Sequence, residues 1–338
     1  MIIESADIVK SPTISVIVIT YNQERYISQC LDAILSQKVN VPYELIIAED
    51  AGTDGTREIC KRYQKEHPDI IRLLLQDKNR GLSGNYADVL SLTRGKYIAQ
   101  IAGDDFWILD TKLQLQKDYL DTHPKCGLCF TNTNTCDEQG EMIGERYLNK
   151  EKISKSFEEH LLSKGYIAPL TWMYRREMVS RYDIKGAFTD ESFAFALDIF
   201  AVSEVHYIDI VSSMYRVANG SLSHPTSYAK WYKQYIGVFK AQLYYCDKYN
   251  VSEALRNKVL INGYIYLLPY ATACEENAFI QEAVYNCKKL GIDMQPYLEL
   301  CNQKNNLEVT LRQIRQSYAY RLGKKILSPL KFLKSIKK

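Results

Sequence analysis

Four short apolar runs, each followed by a segment with helical spacing or an acidic turn, constrain this chain more than any other feature. Ile14 to Thr20 is a β-branched run long enough for a fully buried strand. It leads through Tyr21-Asn22-Gln23-Glu24 into Tyr26, Ile27, Cys30, Leu31, Ile34 and Leu35, which recur at helical spacing. Tyr43 to Ala48 reads as a second strand, closed by Glu49 to Thr56, where Thr53 or Asp54 is placed to cap a helix carrying Ile59 and Tyr63 on its inner face. A third strand, Ile70 to Leu75, precedes Asn79-Arg80-Gly81 and a helix from about Ser83 to Leu92. Tyr97 to Ile101 is the fourth.

This alternation predicts an α/β fold whose central sheet is mostly parallel and flanked by helices on both faces. Ligands bind such sheets beyond the carboxyl ends of the strands. Thr20 to Glu24, Asp50, Asn79 and Asp104-Asp105 all fall there. Neither a GxGxxG nor a GxxxxGK[ST] motif follows the first strand, so a dinucleotide site of the Rossmann type and a P-loop are unsupported. Asp50 is suited to accept the imino N–H of a base such as uracil and Tyr21 to stack on its ring; equally, Asp50 fits a turn and Tyr21 a helix entry.

Asp104 and Asp105 end the fourth strand as adjacent carboxylates. Their repulsion is relieved by a divalent cation, Mg²⁺ or Mn²⁺, which favours oxygen ligands, or by solvation in a loop. An ion held by few protein groups has positions left for a diphosphate.

Beyond Cys126–Asn132 the pattern shifts to shorter strands. Asp137 to Gly140 reads as a hairpin, Ala168 to Arg175 as a strand, and Thr189-Asp190-Glu191-Ser192 as the start of an apolar helix from Phe193 to about Val202. A strand from Val205 follows and runs to Tyr215-Arg216. Past Tyr228 the spacing of Trp231, Tyr235, Phe239 and Leu243, and of later tyrosines and leucines, is that of packed helices.

With 338 residues the chain buries a sizeable core, and the expected division is a first domain over 1–225, a helical region over 226–308 and a basic tail over 309–338. Nine cysteines, an odd number scattered through predicted elements, point to reduced thiols, and Cys126-Gly-Leu-Cys129 lacks the second pair that a zinc site requires. The first ten residues, with Glu4 and Asp7, lack signal-peptide character and no apolar run reaches membrane-spanning length, so a cytoplasmic location is expected. The net charge of +3 conceals nine Lys or Arg and no acid from Val309 onward, which leaves the rest of the chain at −6, the total less nine. An acidic body argues against nucleic acid as a partner. In the tail, Leu322, Ile326, Leu330 and Leu333 share one side of a helix amid basic residues, so 312–338 is a candidate for an anionic membrane surface at the inner face of the cell membrane. The alternative is a solvated basic end, with Pro329 interrupting the stripe.

The segments Ile14–Glu24, Glu49–Thr56, Asn79–Asn85, Tyr97–Trp107 and Val211–Ser223 together resemble the inverting family 2 glycosyltransferases of the GT-A fold. The resemblance covers about residues 12 to 225. It implies a GT-A domain with an α-helical C-terminal extension, and a nucleoside diphosphate sugar, UDP-linked, as donor. Thr20, Tyr21, Asn22, Glu24, Asp50, Asn79, Asp104 and Arg216 would then contact the donor, and Asp104 and Asp105 the metal. The resemblance further implies a helix-start acid, Glu191 or Asp190, as general base toward a saccharide or lipid-linked acceptor, with Asp198 a weaker candidate. Surface polysaccharide biosynthesis is the context that such members suggest.

Three positions depart from the family pattern. Ala102 stands where an acid is common, Gly84 where a basic residue commonly precedes the asparagine, and Ala218 where a histidine often follows the arginine. Lys78 or Arg80 is available to supply the charge missing at Gly84. The thinner acid cluster leaves a second reading, a non-catalytic sensor or assembly subunit that binds nucleotide sugars.

Overall fold

A computed structural model describes residues 1–163, 167–182, 190–217 and 227–316, with side chains as far as residue 308. The first half alternates as β1 (Ile2–Ile3), β2 (Ile14–Thr20), α1 (Ile27–Leu35), β3 (Tyr43–Glu49), α2 (Thr56–Glu66), β4 (Ile71–Leu75), α3 (Gly81–Ser91) and β5 (Tyr97–Ala102). Next come β6 (Phe106–Trp107), α4 (Lys112–Thr122), β7 (Cys126–Cys136), β8 (Met142–Gly144), α5 (Phe157–Leu162), β9 (Met173–Arg175), α6 (Glu191–Val202) and β10 (Glu204–Arg216). Four helices close the chain: α7 (Tyr228–Lys248), α8 (Glu253–Ala273), α9 (Asn277–Lys289) and α10 (Gln295–Gln316).

The strands form one mixed sheet in the order β1-β4-β3-β2-β5-β9-β7-β10-β6, with β8 paired to β7. β2 pairs in parallel with both β3 and β5, and β3 with β4. Side chains alternate across these strands because the pleat has period two. Val16, Val18, Leu45 and Ile47 join one apolar cluster with residues of α1, α2 and α4. Ile17, Ile46 and Ala48 join a second with residues of α3 and α6 on the opposite face. The chain therefore reverses direction across the sheet between β2 and β5, a topological switch point that opens a crevice at the carboxyl edge.

The strand expected over 168–175 is shorter. Pro169, which lacks an N–H and fixes φ, opens a 3₁₀ turn over Pro169–Thr171, and only Met173–Arg175 pairs, antiparallel to β5 and β7. The expected cap of α2 also differs in detail. Gly55 occupies the cap position, while Asp54 accepts the Thr56 N–H at 3.0 Å.

The chain divides into two compact units, Met1–Pro225 with Gly237–Val251, and Thr226–Ile236 with Ser252 onward. In the first, the buried carboxylate of Asp198 on α6 receives Tyr245 and Lys248 of α7, and Tyr249 just beyond it, at 2.7–2.8 Å. Asp198, the weaker candidate for a general base, is therefore a buried carboxylate with three side-chain partners. In the second unit α8 packs on α9 and α10. All the cysteines are free thiols, Cys126 and Cys129 being buried in β7. Among the described residues no helix is long and apolar enough to cross a membrane. Thr189, Ala218 and the tail from residue 317 lie outside the described residues.

Candidate active site

The loops after β2 and β3 are stitched to each other. Asn22 Oδ1 accepts the Thr53 N–H at 2.7 Å, and Glu24 Oε2 accepts the Gly55 N–H at 2.6 Å. In return the Glu24 N–H reaches Asp54 at 3.1 Å and the Gln23 N–H reaches Thr56 Oγ1 at 2.7 Å. Two of the four expected donor contacts in the first loop, Asn22 and Glu24, thus use side-chain oxygens to brace backbone. Asn22 (φ 53°) and Ala51 (φ 57°) adopt the left-handed region without being glycine. Each costs about 1–2 kcal/mol and is held by the surrounding bonds, a pattern concentrated at functional sites. Thr20 is buried, whereas Tyr21 is 45% exposed.

Asp50, buried after β3, accepts the Arg80 N–H at 2.7 Å and also bonds the Gly81 N–H. Burial raises its pKa, and these amides at the start of α3 pull it back. Asn79 shapes the same turn, its Oδ1 accepting the Gly81 N–H at 2.8 Å. Asn85 is buried and bonds Ala48 O at 3.0 Å, while Arg80 pairs with Asp88 at 3.1 Å. The Lys78 side chain stays exposed beside this turn.

The acid pair after β5 sits at the switch point. Gly103 allows the close approach: a Cβ there would lie 2.7 Å from Gln23 Oε1 and 2.9 Å from Thr20 Oγ1. Gln23 accepts from Thr20 Oγ1 at 2.8 Å and also hydrogen-bonds the Asp104 side chain, which places it in the site although sequence reading passed over it. Burial raises the pKa of Asp104, and raises that of Asp105 well above the usual carboxylate range, the neighbouring Asp104 charge adding to the effect.

Arg216 counters both acids from behind. Its backbone N–H donates to Asp105 Oδ1 at 2.8 Å and its Nε to Asp104 O at 2.8 Å. Nη1 reaches Asp137 O and Glu138 O at 3.1 Å each, and Nη2 reaches Gln29 Oε1 at 2.7 Å. The guanidinium also lies over Tyr26, 4.5 Å from the ring centre. Arg216, a candidate donor contact in the sequence, is 3% exposed, and Nε, Nη1 and Nη2 each reach a protein oxygen beside the acid pair.

Asp105 Oδ2 has no hydrogen-bond partner among the described residues. Adjacent carboxylates whose charge is resisted by burial and mutual repulsion are an oxygen donor set that fits Mg²⁺ or Mn²⁺. Among the described residues no cluster of three or more His, Cys, Asp or Glu surrounds a metal position. An ion bound by this pair would draw its other ligands from water and a bound phosphate.

Topology brings the second acidic pair to the same edge. β10 begins opposite Cys126, level with the start of β7, and runs parallel to it. α6 leads directly into β10, so α6 ends at the amino edge and starts, at Glu191, toward the carboxyl edge. Asp190 is its N-cap, Oδ1 accepting Phe193 N–H at 3.0 Å and Ser192 Oγ–H at 2.7 Å. Glu191 is half-buried, with Oε2 accepting the Tyr182 hydroxyl at 2.8 Å. Burial and the adjacent Asp190 raise its pKa, and the Tyr182 bond lowers it. Tyr182 carried no signal in the sequence, because the contact depends on how the chain returns over β9.

The sequence model of glycosyl transferase family 2 matches residues 15–183, half of the chain. The chain belongs to glycosyl transferase family 2. Among relatives, TuaG of Bacillus subtilis, named as a teichuronic acid biosynthesis glycosyltransferase, is 27% identical over 213 residues, covering 63% of this chain and 82% of its own. The chain spans about half (47%) of the length of three mycobacterial relatives that are 37% identical over 163 residues. Among solved structures, Staphylococcus aureus TarS 1-349 in complex with UDP superposes with a TM-score of 0.62 at 16% identity, covering 90% of this chain and 93% of that one. The mannosyltransferase PcManGT of Pyrobaculum calidifontis, in complex with GDP-Man and Mn²⁺, gives 0.53 at 15% identity, covering 94% and 84%. The mixed sheet with flanking helices is the GT-A fold.

Proposed function

We propose that this protein transfers a sugar from a nucleoside diphosphate sugar, UDP-linked, to a hydroxyl of a saccharide or lipid-linked acceptor, with inversion, in surface polysaccharide biosynthesis. The observation that carries the reading is the Asp104-Asp105 pair: two carboxylates with raised pKa values at the switch point, braced from behind by Arg216. The UDP in TarS and the GDP-Man with Mn²⁺ in PcManGT, on the same fold, support a nucleotide sugar and a divalent ion.

In this reading Tyr21 stacks on the base, Asp50 accepts its imino N–H, and Thr20 and Asn79 line the donor crevice. Asp104 and Asp105 hold Mg²⁺ or Mn²⁺, which when bound supplies charge stabilisation to the departing diphosphate. Glu191 takes the acceptor hydroxyl's proton. The acceptor oxygen bonds to the anomeric carbon as the bond to the diphosphate oxygen breaks, and the electron pair leaves with the diphosphate. Glu191 is preferred over Asp190 as the base because Asp190 Oδ1 is spent on the helix cap.

A thermal-shift screen of UDP-GlcNAc, GDP-Man and related donors, with and without Mn²⁺, tests the reading, since a ligand of the native state raises apparent stability. Metal-enhanced stabilisation by one donor, followed by its turnover with a saccharide acceptor, is the expected result. Stabilisation without turnover across a broad panel would favour a nucleotide-sugar sensor, a reading motivated by Ala102. The tail is proposed to hold the enzyme at an anionic membrane; unchanged liposome binding after removal of residues 312–338 would refute that part.

A further inference from the structure

We infer that Tyr182 is a positioning residue that fixes the rotamer of Glu191 and sets the pH at which it becomes able to accept a proton. The inference rests on the reading of Glu191 as the base. A glutamate at a helix start has three rotatable bonds and no intrinsic reason to keep one carboxylate orientation. Here Oε2 is anchored by the Tyr182 hydroxyl at 2.8 Å, and Oε1 has no hydrogen-bond partner among the described residues. One oxygen is held and the other is left for an acceptor.

The anchor is itself rigid. The Tyr182 ring meets Tyr86 edge-on, with centroids 5.3 Å apart, and Phe195 edge-on at 5.4 Å. Phe195 in turn packs edge-on against Tyr174 at 5.3 Å. Tyr86 donates to Gln100 Oε1, and its hydroxyl lies 3.1 Å from that of Tyr174. Two neighbouring strands, β5 and β9, and two helices, α3 and α6, thereby fix where the Tyr182 oxygen points. Burial and the charge of Glu191 push its pKa far up, so it stays a donor throughout the working range of pH.

The electrostatic consequence follows from the groups that face Glu191. Among the described residues these are Asp190, Tyr86 and Tyr182. Burial and Asp190 favour the protonated acid; the Tyr182 hydrogen bond favours the carboxylate. Removing that hydroxyl leaves the opposing influences in place, so Glu191 holds its proton to higher pH.

The test is a ¹³C NMR titration of protein labelled at glutamate side-chain carboxyls, with the Glu191 signal assigned by its loss in Glu191→Gln. In Tyr182→Phe the Glu191 midpoint is expected to move to higher pH. Incorporation of 3,5-difluorotyrosine at position 182, a stronger donor of the same shape, is expected to move it lower and covers the case in which the phenylalanine variant folds poorly. Turnover of UDP-GlcNAc with Mn²⁺ in Tyr182→Phe should fall about tenfold more below the acid limb than on the plateau, the scale of one hydrogen bond to a charged group. A purely structural tyrosine would alter stability and leave the midpoint alone. An unchanged midpoint in both variants overturns the inference while leaving the base reading intact. Full turnover in Glu191→Gln sinks the base reading and leaves the titration result standing.

Discussion

Two pairs of adjacent acids, Asp104-Asp105 and Asp190-Glu191, look alike in the sequence and are treated oppositely by the fold. The first follows a parallel strand, with Asp105 buried and Asp104 partly buried beside one arginine that braces them through backbone and side chain. The second opens a helix, and the helix divides its labour: Asp190 caps the orphan amide of Phe193, leaving Glu191 with one tyrosine. Where two carboxylates share an environment they form a natural site for a cation. Where a helix terminus claims one of them, the other is left to accept a proton.

The largest expected effect comes from the pair treated as a unit. Asp105→Ala should lower metal-dependent donor turnover by about three orders of magnitude, because several kcal/mol of charge stabilisation depend on the ion. EDTA should do the same to the wild-type enzyme, and activity in either case would show that the two acids do not hold a catalytic ion. Glu191→Gln follows at about 10²–10³-fold in kcat, with donor binding by thermal shift retained. If Asp105→Ala kept its response to Mn²⁺ and Glu191→Gln lost that response together with donor binding, the proposed roles would be reversed.

Arg216→Lys probes the support of the first pair. Lysine keeps the charge but cannot reproduce a planar fork that reaches Asp104 O, Asp137 O, Glu138 O and Gln29 together. Mn²⁺ affinity should weaken about 10–100-fold, the usual cost of losing an outer partner. A calorimetric titration that finds equal affinity in the variant would return Arg216 to the donor-contact role its place in the sequence suggested.

The sheet was legible because β-branched runs and helical spacing are local signals, and β2 to β5 follow them within a residue or two. Local signals also located the acids. They did not distinguish a ligand contact from a brace: Asn22 and Glu24 occupy strand-end positions that suit either, and their partners lie 31 residues away. Arg216 meets Asp105 across 111 residues, a distance no periodicity reports. The shortened β9 was foreseeable from Pro169, since a proline opposes a continuous ladder.

Lys112 supplies a contrasting charge, one with no acid beside it. It is wholly buried, donates to Gln116 Oε1 at 2.6 Å and lies 4.4 Å from the Trp107 ring centre. Burial pulls its pKa down to about 7 from 10.5. With the folded value below the unfolded one, the unfolded chain binds more protons between those limits, so stability rises with pH from about 7 to 10.5 and is lowest below that window. Lys112→Met should stabilise the protein at neutral pH by about 1–4 kcal/mol and flatten the rise, as read by urea unfolding at several pH values. A steeper rise would show that the ammonium is stabilised by its surroundings.

The smallest effect separates the two members of the second pair. Asparagine caps a helix about as well as aspartate, because the bond to the N3 amide needs only a side-chain oxygen, whereas alanine forfeits it at about 1 kcal/mol. Asp190→Asn should therefore leave stability nearly unchanged, and Asp190→Ala should lower it by that amount with turnover largely kept. Removing the Asp190 charge also relieves one of the two influences that hold Glu191 protonated, so both variants should move the acid limb of turnover toward lower pH. This is opposite in sign to the change expected from Tyr182→Phe. A loss of turnover in Asp190→Asn as deep as that in Glu191→Gln would assign the proton to Asp190, and the helix would then cap and catalyse through one residue.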